Sequence, residues 1–330
     1  MKICLGHVKK LTPELVAYTK QLGVKSIQFS TPHIPVVNGS WALKDLVNLK
    51  KQCDDNGLKC ETIENVPIEF YDKVLLGLPG RDEQIEKYQQ LLVNMSKAEI
   101  PILGYHFVPT FVWRTGKEKG RGGAMVTAFD STKTNGQNTI KAFSRTDVNI
   151  PDVETMWSNY TYFMKAVLPT AKEVGVKLAL HPDDPPVPMV ANVARLFISL
   201  EAFKRAEAIA KDNDMWGLDL CLGCCSEMGG AQAVHDFIDY FGPKKRIIYV
   251  HFRDVQGSVP HFKECFLGEG NFNPSQVIKQ LHDVGFDNYI MDDHVPEMDC
   301  DKNNTDLIIG NTSHAYAIGY MQGILQTLGY

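Results

Sequence analysis

Eight short β-rich runs alternate with amphipathic helical patterns along the chain, and this alternation limits the fold more than any other feature. Between the runs, apolar residues recur at spacings of three and four, and several segments close on glycine. Eight strand–helix units predict an α/β fold in which a parallel sheet closes into a (β/α)₈ TIM barrel. The runs cover residues 3–7, 26–30, 59–65, 102–107, 177–182, 216–221, 246–252 and 288–294.

A doubly wound open sheet is the structural alternative to the barrel. It is disfavoured because the first run continues as ICLGHVKKLTPE, which lacks the glycine-rich phosphate loop GxGxxG. Helix starts are visible at Thr12-Pro13 and Asn273-Pro274, where an N-cap residue is followed by proline at the first helical position. We therefore predict one barrel domain over residues 1–330.

One connection is much longer than the others. From about residue 109 to 152 the chain is polar and rich in Gly, Lys, Thr and Asn, and it follows the fourth predicted strand. A connection at that point leaves the carboxyl end of the barrel, where barrel enzymes place their active sites. We expect this insertion to lie over the site as a lid, because long connections in compact domains are often functional.

Composition excludes several classes of protein. The 330 residues carry a formal net charge of −5 with no long run of either sign, so neither nucleic acid nor an anionic membrane is an expected partner. No stretch approaches the roughly 18 unbroken apolar residues of a membrane span. The eight cysteines are scattered without the spacing of a disulfide framework, which favours a reducing, cytoplasmic setting.

Polar side chains stand where the predicted strands end. Strand bodies in such a barrel are buried on both faces, so a polar group is tolerated best at the point where a strand emerges. These ends should converge on one place at the carboxyl face of the barrel. They supply Glu64, His106, His181, Asp183, Asp184, Asp219, Cys221, His251, Arg253, Asp293 and His294.

Four of these residues form a candidate divalent-metal site. Imidazole, thiolate and carboxylate all bind borderline first-row cations, whereas Mg²⁺ and Ca²⁺ prefer oxygen alone, so Zn²⁺, Fe²⁺ and Mn²⁺ stay open. Each residue alone has a simpler explanation, such as a hydrogen-bonded histidine or a small buried thiol. Cys224 and Cys225 are expected in the loop after the sixth strand, without a structural zinc cluster. The candidate ligands are His181, Cys221, His251 and Asp293.

The motifs LALHPDDPP, GLDLCLG, VHFRDV and DDH, in this order, resemble mannonate dehydratases, and IENVPI, GRDEQIEKY and YHFVPTFVW agree with them. The resemblance covers nearly the whole chain. It implies a xylose-isomerase-like barrel and a hydro-lyase that converts D-mannonate to 2-keto-3-deoxy-D-gluconate in glucuronate breakdown. It also implies that the same four residues bind Mn²⁺, or Fe²⁺ in some members, and that His294 is the catalytic histidine.

The chain departs from the family pattern at three places. It has Asp254 where the family often has asparagine after strand seven, and it continues the strand-eight motif as DHVP where many members have DHGR. No residue matches the family's proposed catalytic tyrosine. Tyr316 and Tyr320 lie instead in a pattern typical of a helix. These departures leave the second acid–base group without a candidate.

Further roles follow from the chemistry of a sugar acid. Arg253, as a catalytic residue, and Lys263 could bind the anionic end of the substrate. Glu64 and Glu264 could grip hydroxyl groups or orient ligand histidines. His106 and Asp183 complete the predicted substrate-binding residues.

Two alternative functions stay open at this point. The first is a metal-dependent sugar isomerase or epimerase on the same barrel, although the thiol of Cys221 is unusual for such enzymes. The second is a non-catalytic sugar-acid binding protein. In either case a small sugar acid or sugar is the expected partner, and a homo-oligomer, a dimer or larger, is the expected assembly.

Overall fold

A closed barrel of eight parallel strands forms the centre of the molecule. The structure is a computed structural model that describes residues 1–108, 112–134, 151–190, 193–301 and 311–330. Numbered in chain order, the barrel strands are β1 (Lys2–Val8), β2 (Ser26–Ser30), β3 (Lys59–Glu64), β4 (Ile102–Tyr105), β5 (Lys177–Leu180), β6 (Trp216–Cys221), β7 (Ile247–His251) and β8 (Tyr289–Met291).

Each barrel strand pairs in parallel with its neighbours in sequence, and β8 returns to β1 to close the ring. The eight strands coincide with the eight predicted runs to within a few residues. The predicted (β/α)₈ barrel is therefore confirmed, and the open doubly wound sheet is excluded for this chain.

Helices surround the barrel and follow its strands in turn. None of the helices in the described part of the chain combines the length and apolar character that a membrane crossing requires. They are α1 (Pro13–Gln21), α2 (Leu43–Asp55), α3 (Asp72–Leu76), α4 (Arg81–Lys97), α5 (Val153–Val174), α6 (Leu200–Ala210), α7 (Leu222–Phe241), α8 (Pro274–Asp283) and α9 (Thr312–Leu328).

Helix α8 illustrates why these segments are helical. The Asn273 side chain accepts hydrogen bonds from the backbone N–H groups of Ser275 and Gln276, which satisfies donors that have no partner within the helix. Pro274 occupies the first helical position, and Val277, Ile278 and Leu281 form one buried face. Thr12 and Pro13 begin α1 in the same way, so both predicted helix starts are confirmed.

The strand interiors are buried on both faces, as the sequence predicts. Every residue of β6 is buried, and the outer faces of the strands pack against the helices in one large apolar cluster. A smaller cluster fills the inside of the barrel, where the rings of Tyr249 and Tyr289 stack at 5.0 Å between centroids. Tyr289 Oη lies 2.7 Å from Thr62 Oγ1. The barrel interior therefore ends in a packed floor beneath its carboxyl face.

A second sheet covers part of the carboxyl face, and we call it the cap sheet. It is antiparallel, and its strands lie in the order Val255–Ser258, His261–Glu264, Met125–Asp130 and Gly116–Lys119. Two strands come from the long insertion after β4 and two from the segment after β7. The insertion is therefore not only loop, although residues 109–111 and 135–150 lie outside the described residues. Its closure as a lid stays a prediction.

Gly217 in β6 generates a test of the barrel packing. A Cβ atom there would lie 2.3 Å from the backbone oxygen of Arg246, the residue before β7, a contact that the sheet can relieve only by shifting. We expect Gly217→Ala to lower the free energy of unfolding by about 1–3 kcal/mol, measured by urea denaturation. The control is Gly319→Ala, because this exposed helical glycine has nothing within 4 Å of its added methyl group.

Gly319→Ala should leave the free energy of unfolding unchanged or raise it by up to about 1 kcal/mol, since alanine favours the helix. Equal stability of the two variants would contradict the close packing of β6 on β7.

Candidate metal centre

Four strand ends place their side chains around one point at the carboxyl face. His181 directly follows β5, Cys221 ends β6, His251 ends β7, and Asp293 lies two residues beyond β8. Parallel pairing sets Cys221 opposite His251. All four residues are buried, and one donor atom from each lies within 4.8 Å of the other three. The structure thus brings together the four predicted ligands.

Both histidines are held so that one ring nitrogen remains available. His181 Nδ1 lies 2.6 Å from the backbone oxygen of Pro182, to which it donates, so Nε2 is the nitrogen left for a metal ion. His251 Nε2 lies 3.2 Å from Glu64, while its buried Nδ1 has no hydrogen-bond partner among the described residues. A metal-ligating histidine has this arrangement, with one nitrogen fixed by a neighbour and the other free. The residues present therefore fit a divalent cation.

Cys221 favours its thiolate form, the form that binds metals. Burial alone would raise the pKa of this thiol, but the side chain of Cys224 and the Arg253 guanidinium hold it well below its usual value. The Cys224 N–H lies 3.5 Å from Cys221 Sγ, because Cys221 is the N-cap of α7. The prediction that Cys224 and Cys225 lie in a loop is wrong, since both belong to the first turn of α7.

Asp293 is ionised for similar reasons. Burial would raise the pKa of its carboxyl group, but the neighbouring His294 and His251 lower it well below the usual value. Arg253 Nε donates to one carboxylate oxygen at 2.9 Å, and His7 Nε2 lies 2.8 Å from the other. Two anionic ligands and two imidazoles therefore meet in one buried place.

The imidazoles carry protons that a metal would displace. Burial lowers the pKa of His181, but the neighbouring Asp219 and Cys221 raise it to about 10. Metal ions bind the neutral imidazole, so loading such a site releases protons and is favoured by higher pH.

A cavity of about 220 Å³ opens at three of the four donor residues, His181, His251 and Asp293, whereas Cys221 does not line it. His106 and His294, both predicted from the sequence, lie on its wall. The ring of His106 packs against that of His181 at 4.2 Å between centroids. The lining residues are His7, Ser30, Glu64, Asn65, His106, Val112, His181, Asp184, His251, Asp293 and His294.

The two predicted glutamates act on histidines. Glu64 is 1% exposed and lies 3.2 Å from His251 Nε2, so it orients a candidate ligand. Glu264 is 3% exposed, and its Oε1 accepts a hydrogen bond from His294 Nδ1 at 2.5 Å. Of the two roles considered from the sequence, orientation of histidines therefore fits the contacts of both residues.

Two predicted substrate-binding residues lie elsewhere. Asp183 turns away from the cavity, accepts the backbone N–H of Phe197 at 2.7 Å and faces Arg195. Lys263 lies on the cap sheet and donates to the backbone oxygen of Lys119 at 3.2 Å. Neither residue lines the cavity, so the geometry does not support their assignment to substrate binding, which stays a prediction. Asp184, the next residue along the chain from Asp183, lines it instead.

Arg253 lies behind the candidate ligands and does not line the cavity. It is 3% exposed and donates to Asp293 at 2.9 Å, to Glu227 at 2.8 Å and to Asp184 at 2.7 Å. A Cβ atom on Gly223 would lie 2.2 Å from its Nη1, so only glycine leaves room for the guanidinium. Arg253 holds Asp293 in place, and this position favours a supporting role over the predicted catalytic one, which stays a prediction.

Sequence reasoning missed His7, Arg114 and Glu227. His7 lies within β1, near its carboxyl end, where the polar end of the strand was a usable signal. Arg114 belongs to the insertion, and Glu227 lies in α7 six residues beyond Cys221. Neither Arg114 nor Glu227 follows a barrel strand. The pattern of an apolar run that ends in a polar residue, which identified the candidate ligands, therefore could not identify them.

The barrel and its donor set define a xylose-isomerase-like barrel protein with a candidate divalent-metal centre. A family model described as D-mannonate dehydratase (UxuA) matches residues 7–329. The mannonate dehydratase of Geobacillus thermodenitrificans is 31% identical over 88% of this chain and 82% of its own. The crystal structure of mannonate dehydratase from Streptococcus suis serotype 2 matches with a TM-score of 0.83 and 28% identity, over 100% of this chain and 96% of that chain.

A xylose isomerase domain protein from Planctomyces limnophilus shares the fold at a TM-score of 0.61 and 11% identity, over 99% of this chain and 96% of that chain. The chain belongs to the D-mannonate dehydratase family. Its activity is therefore the dehydration of a small sugar acid, D-mannonate, which is a hydro-lyase reaction. The predictions of family, fold and reaction are confirmed. The family implies a divalent metal, for which the structure offers suitable residues.

Glu227 generates a prediction about pH and stability. Burial and the negative charge of Asp184 raise its pKa to about 8, against 4.5 as the ordinary value. Between about pH 5 and 7.5 the folded chain therefore holds a proton that the unfolded chain lacks, so this group makes stability fall as pH rises. In the Glu227→Gln variant, the fall in unfolding free energy should be shallower by about 1.4 kcal/mol per pH unit.

The measurement is urea denaturation of both proteins across that pH range. Glu201→Gln is the control, because Glu201 is exposed on α6, and it should keep the slope of the parent. Parallel slopes for Glu227→Gln and the parent would show that Glu227 is ionised in the folded chain.

Proposed function

We propose that the chain converts D-mannonate to 2-keto-3-deoxy-D-gluconate and water with the help of one Mn²⁺ ion. The observation that carries this proposal is the meeting of four donors within 4.8 Å at the carboxyl face of a barrel of this family. The mixed set of nitrogen, sulfur and oxygen donors supports a borderline first-row ion, and Fe²⁺ is the alternative. The proposed ligands are His181, Cys221, His251 and Asp293.

The reaction breaks the C2–H and C3–O bonds of the sugar acid. The proton from C2 leaves to a base, the C3 hydroxyl departs as water after accepting a proton, and the resulting enol becomes the 2-keto acid. A bound divalent ion supplies Lewis-acid stabilisation of the negative charge that develops beside the carboxylate. The chain must then bind the substrate and deliver a proton to the departing hydroxyl.

His294 is suited to deliver that proton. Burial would lower its pKa, but the Asp293 and Glu264 carboxylates raise it to about 9, so the imidazole is protonated near neutral pH. Its Nδ1 is bound to Glu264 at 2.5 Å, which leaves Nε2 for a partner in the cavity. We assign His294 as the general acid for the C3 hydroxyl.

The remaining cavity residues position the substrate. His106 is kept uncharged, because burial and the neighbouring His181 lower its pKa below the ordinary value. A neutral imidazole offers one donor and one acceptor to sugar hydroxyl groups. The single barrel domain, the cytoplasmic setting and the homo-oligomer expected from the sequence remain predictions.

The first test is turnover itself. We expect purified protein supplied with Mn²⁺ to form the 2-keto-3-deoxy acid from D-mannonate, because the donor set and the family both support this reaction. The 2-keto-3-deoxy product is measured by its colour reaction after periodate oxidation. D-gluconate, the epimer at C2, is the control substrate and should react far more slowly. Binding of D-mannonate without any product would favour the non-catalytic sugar-acid binder.

The second test addresses the ligand set through Cys221→Ala. Removing the thiolate deletes one of four donors, so bound metal and turnover should both fall by at least about 10²-fold. Metal content is measured on the purified protein by mass spectrometry. The matched control is Cys53→Ala, since Cys53 is also a buried thiol but lies on α2 away from the site. Parent-like metal content in Cys221→Ala would overturn the assignment.

A further inference from the structure

We propose that Arg114 is a positioning residue for the dehydration, fixing Glu264 and, through Glu264, the imidazole of His294. This inference rests on the function proposed above, in which His294 donates a proton to the departing hydroxyl. It adds a residue of the long insertion to the catalytic apparatus, although Arg114 does not line the cavity.

The guanidinium of Arg114 is fixed on every side. Its side chain is 10% exposed and precedes the outermost strand of the cap sheet. Nε donates to Thr127 Oγ1 at 3.2 Å and Nη1 to the backbone oxygen of Trp113 at 3.2 Å. Both terminal nitrogens donate to Asp184, with Nη2 at 2.9 Å. These contacts fix the plane of the guanidinium independently of its contact with Glu264.

That next partner is Glu264 Oε1, which lies 3.0 Å from Arg114 Nη2. The same oxygen accepts the hydrogen bond from His294 Nδ1 at 2.5 Å. One carboxylate oxygen thus joins a residue of the insertion to the proposed proton donor. Because this hydrogen bond occupies Nδ1, the location of the oxygen decides that Nε2 is the nitrogen left for the substrate.

Arg253 cannot take over this task. It binds Asp184 and Glu227 directly, but its Nη1 is 3.9 Å from Glu264, beyond hydrogen-bond distance. Arg114 is the guanidinium within hydrogen-bond reach of Glu264 among the described residues. Its loss should therefore disturb the orientation of His294 more than the charge balance of the whole cluster.

Lysine would be a poor replacement for Arg114. An ammonium group is a point charge with three donors, whereas this site uses both edges of a planar fork. Arg114→Lys should preserve the positive charge and lose the geometry. If Arg114→Lys kept part of the parent kcat, the role of Arg114 would be to supply charge. If free guanidinium ion restored the kcat of Arg114→Ala, its role would be to position Glu264.

The test is a double-mutant cycle on turnover of D-mannonate by the metal-loaded enzyme. Arg114→Ala should lower kcat about 10²-fold, the cost of a small misplacement of a catalytic group. KM should change little, because Arg114 does not touch the substrate. In a Glu264→Gln background the same substitution should have little further effect, since the two residues act through one contact.

Millimolar guanidinium ion should restore part of the kcat of Arg114→Ala and have no effect on Glu264→Gln. The matched control is Arg121→Ala, because Arg121 belongs to the same insertion but pairs with Glu269 at the surface. Arg121→Ala should have the kcat of the parent, and added guanidinium ion should not change it. Circular dichroism checks folding, and if Arg114→Ala does not fold, the same cycle is run with Arg114→Lys.

Equal losses of kcat from the Arg114 substitution in both backgrounds would overturn the inference. So would a rise in KM at constant kcat, which would make Arg114 a residue for substrate binding. The comparison requires that the parent enzyme itself turns over D-mannonate. A parent without turnover would contradict the proposed function itself, so the two failures are distinguishable.

Discussion

Buried negative charge at the carboxyl end of the barrel is the constraint to which the rest of the site responds. A charged group is tolerated in such a place only when it is paired or neutralised. Two arginines lie among these groups, and both bind Asp184 and Glu227. The acidic groups are Glu64, Asp184, Asp219, Glu227, Glu264, Asp293 and the thiol of Cys221.

The protonation states divide this charge between two parts of the site. Beside the arginines, Asp184 is ionised, because Arg114 and Arg253 outweigh the effect of burial and lower its pKa. Glu227 contacts the same two arginines, but its pKa is raised to about 8, so it is neutral near pH 7. The two arginines therefore balance two carboxylates, those of Asp184 and Glu264. Beneath the donors, burial and Glu64 raise the pKa of Asp219 to about 8 despite His251. The two anionic donors, Cys221 and Asp293, stay ionised, which suits a divalent cation. Glu64 and Asp184, whose pKa values are also lowered, line the same cavity.

Site residues could be predicted from the sequence where the backbone is regular, at the ends of the barrel strands. His181, Cys221, His251 and Asp293 each stand at or just beyond the end of a parallel strand, and the barrel forces those ends together. A short apolar run followed by a polar residue is therefore enough to find them. The same reasoning confused Asp183 with Asp184, because the chain has left the strand and alternation no longer decides which side chain faces the cavity.

Residues outside the strand ends needed the tertiary structure. Lys263 and Glu264 are adjacent in sequence, yet one faces Lys119 on the cap sheet and the other faces His294. That difference depends on the pairing of strand His261–Glu264 with Met125–Asp130, a contact between segments separated by more than 100 residues. Sequence periodicity marks short strands but does not reveal which distant partner they choose.

The insertion after β4 has a structural role, because two strands of the cap sheet come from it and one of them pairs with the strand that carries Glu264. A barrel alone can present His294 just beyond the end of β8, but this side chain is 32% exposed even with the cap sheet in place, so the barrel by itself does not hold it. Glu264 fixes the ring only if its own strand is held, and that strand is flanked by Val255–Ser258 on one side and by the insertion on the other. The insertion therefore contributes rigidity in two ways, through backbone pairing to the strand and through Arg114 to the carboxylate. Precise placement of a proton donor is worth orders of magnitude in rate, so a long polar segment far from the metal ligands in sequence can be part of the catalytic apparatus.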